Sequence, residues 1–270
     1  MPKLNYNNKP VIWMIHLPPL IWYKWYPWEK VIIDKMLKEI VVYKEWWVDA
    51  IMLENNYDVP HEKEVPTEIL VQLTKLAYIA RWNTKLPLWI CVLWNDWKAS
   101  LSIAKIVWLD FIRIPVFVDK VETYGFIIDS IVNDFNLYKE KLEANNIDIL
   151  VDVHVKHSKI LSNYSLEESI KKAINWGANS VIITWRWTWD LPKQNEIIDI
   201  KSKINNVKII IWSWVTKDNI ESMVKYVDWF IVWTYFKTNK FPDDNVNIRD
   251  WRETIDLDKV KSLVSKKNNL

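Results

Sequence analysis

Glycine is almost missing from this chain, with 2 in 270 residues where ordinary usage of about 7% would supply roughly 19. Cysteine is scarcer still. Cys91 stands alone, which excludes an internal disulfide framework and suits a reducing compartment. Neither sign of charge is in excess: 36 Lys and Arg face 34 Asp and Glu, leaving a formal charge of +2, so nothing pulls the whole molecule toward nucleic acid or an anionic membrane. Long apolar runs are absent too. The most apolar early stretch, Val11–Trp22, is interrupted by His16, Pro18 and Pro19 and falls short of the ~20 residues that span a bilayer. It also lacks a small-residue cleavage site. The expectation is a cytoplasmic protein with no integral membrane segment. With no Pro/Ser-rich linker, low-complexity tract or short repeat, residues 1–270 are expected to form one domain with a core over about 9–266.

What is present in excess is tryptophan, at 20 residues, which nearly matches the glycine deficit. Position says more than count. Trp46 and Trp47 follow a helical run, where a C-cap ordinarily takes a left-handed glycine. Trp185, Trp187, Trp189, Trp212, Trp214 and Trp233 all sit in turns directly after strand-like runs, where glycine supplies positive φ or lets a ligand approach the backbone. A Trp-rich protein with aromatic platforms would place its indoles on one exposed face instead. The pattern points to a gene in which UGA encodes glycine but has been translated as tryptophan, and abundant Lys, Asn and Ile fit the AT-rich genome this would suit. Gly125 and Gly177 are then the glycines written with ordinary codons. Trp25, Trp82, Trp94, Trp97 and Trp251 lie less clearly at glycine positions.

Strand and helix patterns alternate to the end. Strand-length apolar runs cover Val11–Leu17, Asp49–Glu54, Leu88–Leu93, Asp110–Ile114, Ile147–Val155, Ser180–Thr184, Val207–Ile211 and Asp228–Val232. Helical spacing covers Glu29–Glu45, Thr67–Arg81, Lys98–Val107, Gly125–Ala144, Leu166–Asn175, Lys193–Ile204, Lys217–Tyr226 and Leu257–Val264. Ser165 with Glu168 forms a capping box, and Thr216 is placed to cap the helix after it. Alternation of this kind implies parallel strands with right-handed crossovers, and eight units in about 250 residues match an α/β fold, a single (β/α)8 TIM barrel.

In such a barrel chemistry gathers at the C-terminal ends of the strands. The fifth run, Val151 to His157, is the richest. A period of two turns Asp152, His154 and Lys156 into the barrel and Val151, Val153 and Val155 toward the helices. These could be a general acid or base, an electrostatic clamp or a Schiff-base lysine; a buried Asp–Lys pair beside a hydrogen-bonded histidine would also account for them. His16 ends the first run, as a site residue or a satisfied core histidine. Glu54 and Asn55 end the second, with Asp58 following, suited to proton or hydroxyl chemistry or to capping a turn. Asn95 and Asp96 end the third, and the better use of Asp96 is a helix N-cap. Arg113 near the end of the fourth binds an anion or forms an inner ion pair. Thr184 ends the sixth.

The last turns carry a phosphate argument. With glycine at Trp212, Trp214 and Trp233, backbone N–H groups there would cradle a phosphate, joined by the hydroxyls of Ser213 and Thr234. With tryptophan, two indoles fill that cradle. Metal motifs are weak: His16, His61, His154 and His157 make no HExxH and no cysteine cluster. No metal site is expected and no cofactor; Mg²⁺ on Glu54 or Asp152 is conceivable without any pattern supporting it. No dinucleotide fingerprint or P-loop is present.

These runs resemble the BtpA/SgcQ family. Val11 to Leu20 is similar to its opening IGMVHLPPLPG, Trp46–Ala50 through Glu54-Asn55 to GGVDAI-x-x-EN, and Asp110–Arg113 to ADFIRV. Asp152–His157 resembles DVHVKHA, Trp212–Thr216 resembles GSGVT, and Asp228–Thr234 resembles DG-x-IVGT. Trp94, where arginine is frequent, and the loop Val116 to Gly125 depart from the pattern. The resemblance implies a barrel like the ribulose-phosphate-binding enzymes, and it brings no settled reaction. Two functions follow from it as expectations. The first is an enzyme on a small phosphorylated sugar or nucleotide-derived substrate, with isomerase- or lyase-type chemistry. In it His16, Glu54, Asp152, His154 and Lys156 would be catalytic, and Asn55, Asn95, Asp96, Arg113 and Thr184 would hold substrate. The second is a non-catalytic assembly factor for a membrane complex, as in photosystem I biogenesis. Nucleic acid is not an expected partner, and a homo-oligomer stays open.

Overall fold

A computed structural model of the chain describes residues 9–46, 48–184, 194–204, 207–212, 215–237 and 251–269. It opens β1 (Val11–His16), α1 (Glu29–Glu45), β2 (Ala50–Glu54), α2 (Thr67–Asn83), β3 (Leu88–Cys91), α3 (Trp97–Val107) and β4 (Phe111–Ile114). A hairpin follows, β5 (Val121–Thr123) and β6 (Phe126–Ile128), then α4 (Val132–Lys141), β7 (Asp148–Val153) and a short β8 (Lys159–Ile160). The chain continues through α5 (Leu166–Asn175), β9 (Ser180–Ile183), α6 (Gln194–Lys203), β10 (Ile209–Trp212), α7 (Ile220–Met223), β11 (Trp229–Val232) and α8 (Leu257–Asn268). Eight parallel strands close in the order β1-β11-β10-β9-β7-β4-β3-β2, a (β/α)8 barrel. β6, β5 and β8 form a separate three-stranded sheet.

The strands are short apolar runs buried on both faces, as parallel barrel strands must be. Their two-residue period sorts side chains into two cores. Ile15, Ile51, Leu53, Ile90, Ile112 and Val151 face the helices, while Met14, Met52, Trp89, Phe111, Leu150 and Ile210 fill the barrel. Helix ends follow local chemistry. Ser165 accepts from Glu168 N–H while the Glu168 carboxylate accepts from Ser165 N–H, completing the capping box. Asp96 accepts from Ala99 N–H at 2.9 Å and caps α3, and Asp256 caps α8. Thr216 caps the turn that leads into α7, its hydroxyl accepting from Asp218 N–H and its carbonyl from Ile220 N–H.

Three expected elements change here, the first two for a backbone reason. Residues 125–144 are not one helix. Tyr124 at φ 46° and Gly125 at φ 84° make a two-residue left-handed turn that pairs Thr123 with Phe126, so a hairpin precedes α4. The strand expected to run to Val155 ends at Val153, because His154 takes φ 49° and breaks the alternation. The helix expected over Lys217–Tyr226 shortens to Ile220–Met223. The loop carrying Trp185, Trp187 and Trp189, together with Trp47, Ser213 and Trp214, lies outside the described residues.

Candidate functional site

The inward residues at the C-terminal strand ends are charged. Register sets His16 beside Glu54 across β1 and β2, and Glu54 beside Cys91 across β2 and β3. Arg113 from β4 lies at the centre. Its Nε and Nη2 donate to the two oxygens of Asp152 at 2.8 Å each, and Nη1 donates to Glu54 Oε2 at 2.7 Å. All three side chains are buried. This two-pronged carboxylate–guanidinium geometry satisfies donors that would otherwise be stranded. Nε2 of His16 lies 3.2 Å from Glu54 Oε1 without the alignment of a hydrogen bond.

Burial and charge compete at each group. Burial pushes Glu54 up, but the His16 contact and the Arg113 charge outweigh it and hold the carboxyl at about 2. Burial raises Asp152 against the pull of Arg113. Arg113 is held protonated: burial opposes its charge, and Asp152 overcomes that. Burial lowers His16 against Glu54, keeping the imidazole neutral. Lys156 differs from the rest. Its ammonium makes no ion pair with a carboxylate among the described residues, and burial, then the Arg113 charge, lowers it to about 8.

Above these groups lies a cavity of about 90 Å³ lined by His16, Glu54, Arg113, Lys156 and Thr234, and by three indoles, Trp94, Trp212 and Trp233. The Trp212 ring centre is 3.8 Å from Arg113 Cζ and 4.5 Å from Lys156 Nζ. Trp233 lies against the His16 ring at 4.2 Å. Small-molecule sites ordinarily enclose ~300–1,000 Å³, so the indoles leave room for little.

The structure therefore brings together His16, Glu54, Arg113, Asp152, Lys156, Trp212, Trp233 and Thr234. It separates the others. His154, expected to point inward beside Asp152, faces a neighbouring surface pocket with Ser158 and Glu196, because its left-handed backbone turns it out of the strand period; its N–H donates to Asp119. The same turn brings His157, which continued strand parity would set toward the helices, to the cavity wall with Val155. Asn55 is spent on framework, accepting from Leu93 N–H and donating to Asp58, which accepts from Leu20 N–H. Asn95 holds the Val116 backbone through both its N–H and its carbonyl. Asp96 is the α3 cap, and Thr184 accepts from Lys156 N–H at 2.9 Å, bracing the lysine. Asp152 pairs with Arg113, not with Lys156. Ser213 and Trp214 lie outside the described residues. Both carboxylates weighed for Mg²⁺ are bonded to Arg113, and no cluster of three His, Cys, Asp or Glu suited to a metal occurs among the described residues.

Some participants had no signal in the strand pattern. His61 and Tyr124 reach the cavity from loops and meet edge to face at 5.3 Å. Asp119 is buried and accepts from Ser162, Ser169 and His154, pinning the loop that carries Lys156. No spacing rule links a residue after β4 to a loop after β7.

The chain belongs to the BtpA family, whose model matches residues 7–269. An uncharacterized protein of Pyrococcus horikoshii is 35% identical over 263 residues, 96% of this chain and 99% of that one. The photosystem I biogenesis protein BtpA of Synechocystis is 26% identical over 261 residues, covering 96% of this chain and 88% of its own. Among solved structures, the geranylgeranylglyceryl phosphate synthase of Thermoplasma acidophilum with sn-glycerol-1-phosphate superposes with a TM-score of 0.59 at 11% identity, covering 98% and 95%. Phosphoribosylanthranilate isomerase of Thermotoga maritima gives 0.54 at 12%, covering 97% and 99%. At these identities the structures show a shared fold. No helix among the described residues is long and apolar enough to cross a membrane.

Proposed function

We propose that this BtpA-family barrel is an enzyme acting on a small phosphorylated sugar or nucleotide-derived carbonyl compound, by isomerase- or lyase-type chemistry at the barrel mouth. One observation carries the proposal. Lys156 enters the cavity free of any carboxylate ion pair among the described residues, beside a Glu54–Arg113–Asp152 cluster that satisfies itself. An amine at about 8 is partly neutral near pH 7 to 8, which a nucleophile toward carbonyl carbon needs. Its neutral nitrogen would bond that carbon, the carbonyl oxygen would gain the two protons the amine gives up, and the oxygen would leave as water as the imine forms. Neutral His16, backed by Glu54, is the group on the opposite wall that can carry a proton. The phosphate would rest near Thr234 and the turn after β10, with Ser213 as a further donor. Two of the solved barrels bear names of enzymes of phosphorylated compounds, which supports the substrate class by analogy of fold.

The test is a panel of phosphorylated aldoses, ketoses and nucleotides, read by thermal shift and by proton NMR for turnover, with the parent chain, its Trp212→Gly/Trp233→Gly form and Lys156→Ala in either. Turnover lost in Lys156→Ala with binding kept supports the assignment. Turnover unchanged by Lys156→Ala removes its basis. The name of the Synechocystis relative favours the assembly-factor reading, and silence across the panel combined with co-fractionation with membranes would select it.

A further inference from the structure

Four tryptophans occupy backbone or space that glycine fits and an indole does not. Trp28, before α1, has φ 72°, and Trp108, closing α3, has φ 57° with ψ 49°. Glycine takes that left-handed region without steric cost, and a residue with a Cβ pays for it. The two glycines of the chain use the same region, Gly125 at φ 84° and Gly177 at φ 96°. Trp108 occupies the C-terminal position of its helix where a left-handed glycine is the usual ending.

The other two sit in the mouth. The Trp212 ring covers Arg113 and Lys156 at once, and Trp233 covers His16. The Trp233 indole N–H is buried with no hydrogen-bond acceptor among the described residues, a cost it shares with Trp13 and Trp89. A fully functional aromatic platform would leave one face open to a ligand. These rings instead occlude the groups that carry the site's chemistry.

We propose that positions 28, 108, 212 and 233 carry glycine in the protein made by its own cell, through UGA decoded as glycine, and that the space held by the indoles of Trp212 and Trp233 is the substrate chamber. The identity of the occupant rests on the phosphorylated-carbonyl reading above; the residue assignment does not. With glycine at 212 and 233, Lys156, Arg113 and His16 would face one continuous volume instead of a remnant. Nothing else in the fold needs to move, since Trp212 ends β10 and Trp233 directly follows β11.

The gene and the natively produced protein decide the assignment. The four codons should read UGA, and peptide mass spectrometry of protein from its own cell should find each position lighter by the difference between Trp and Gly. UGG codons at 212 and 233, or tryptophan in those peptides, would overturn it while leaving the enzyme reading in place. The chamber is tested with ribose 5-phosphate on Trp212→Gly/Trp233→Gly protein. The double variant should gain a ligand-dependent rise in Tm of about 5 °C at a hundredfold excess over Kd, and the parent should show none. Equal response of parent and double variant, or no response in a double variant whose circular dichroism matches the parent, would overturn the chamber. Glycine and binding found together with no turnover would sink the enzyme reading alone.

Discussion

Replacing Arg113 with Met should destabilise the barrel in a way that depends on pH. Arg113 gives two hydrogen bonds to Asp152 and one to Glu54, and all three side chains are buried. Methionine keeps much of the stem volume and leaves two carboxylates without their cation. Breaking a buried pair from one side costs ~3–5 kcal/mol. For 270 residues the unfolding entropy is about 0.6 kcal/mol per degree near 60 °C, so the loss corresponds to a fall in Tm of ~5–9 °C at pH 8. The sign of the pH effect follows from the same groups. In the parent, Glu54 lies at about 2 against an ordinary 4.5; its contribution is present above the unfolded value and lost only as pH falls through the folded one. In Arg113→Met, burial is opposed at Glu54 by the His16 contact and at Asp152 by Lys156 alone, so both carboxyls shift upward, and the penalty of their buried charge eases as pH falls. The deficit should therefore narrow between pH 8 and pH 5. Melting followed by circular dichroism at both values measures it, with Arg113→Met/Glu54→Gln/Asp152→Asn as control. A fall under about 1 °C, or one equally deep at both values, would refute the electrostatic account. A triple variant as unstable as the single would assign the loss to packing instead of charge.

Lys156 should titrate near 8, so its reductive methylation, followed by peptide mass spectrometry, should rise through that value. Arg113→Met should move the Lys156 midpoint upward, because the guanidinium charge is the second cause of its depression; an unchanged midpoint would refute the coupling. Trp108→Gly should raise Tm, since it removes a left-handed residue at ~1–2 kcal/mol, or about 2–3 °C here, whereas glycine in a helix interior lowers stability. A lower Tm in Trp108→Gly would count against the glycine assignment at that position.

The barrel could be read from the chain because its strands obey one rule throughout. Every strand run is apolar, bounded by turns, and followed by a helix with 3.6-residue spacing, so alternation alone implies parallel closure. His16, Glu54, Arg113 and Asp152 were readable for the same reason: each is a polar residue at an inward strand-end position, and inward position follows from parity. Parity fails where the backbone leaves the strand. His154 leaves its expected inward face, and His157 reaches the cavity wall, because a left-handed residue at 154 adds a turn that side-chain type does not announce. The hairpin at Val121–Ile128 was hidden likewise, since Gly125 also permits a helix start.

What parity could never supply is the division of labour among the polar groups it located. Asn55, Asn95 and Asp96 look as chemical as Glu54 in sequence, yet each donates or accepts within the framework. Only the partner identifies which group is left over. Arg113 absorbs both carboxylates, Thr184 holds the lysine backbone, and Asp119 pins the loop, so Lys156 Nζ is left at the barrel centre without an acid partner among the described residues. That outcome makes the indole of Trp212 decisive: the side chain it covers is the one with chemistry to spare. A barrel that braces the segment carrying one amine through Thr184 and Asp119, then lays an indole against that amine, has contradictory local and global design. Glycine at 212 removes the contradiction without altering any strand.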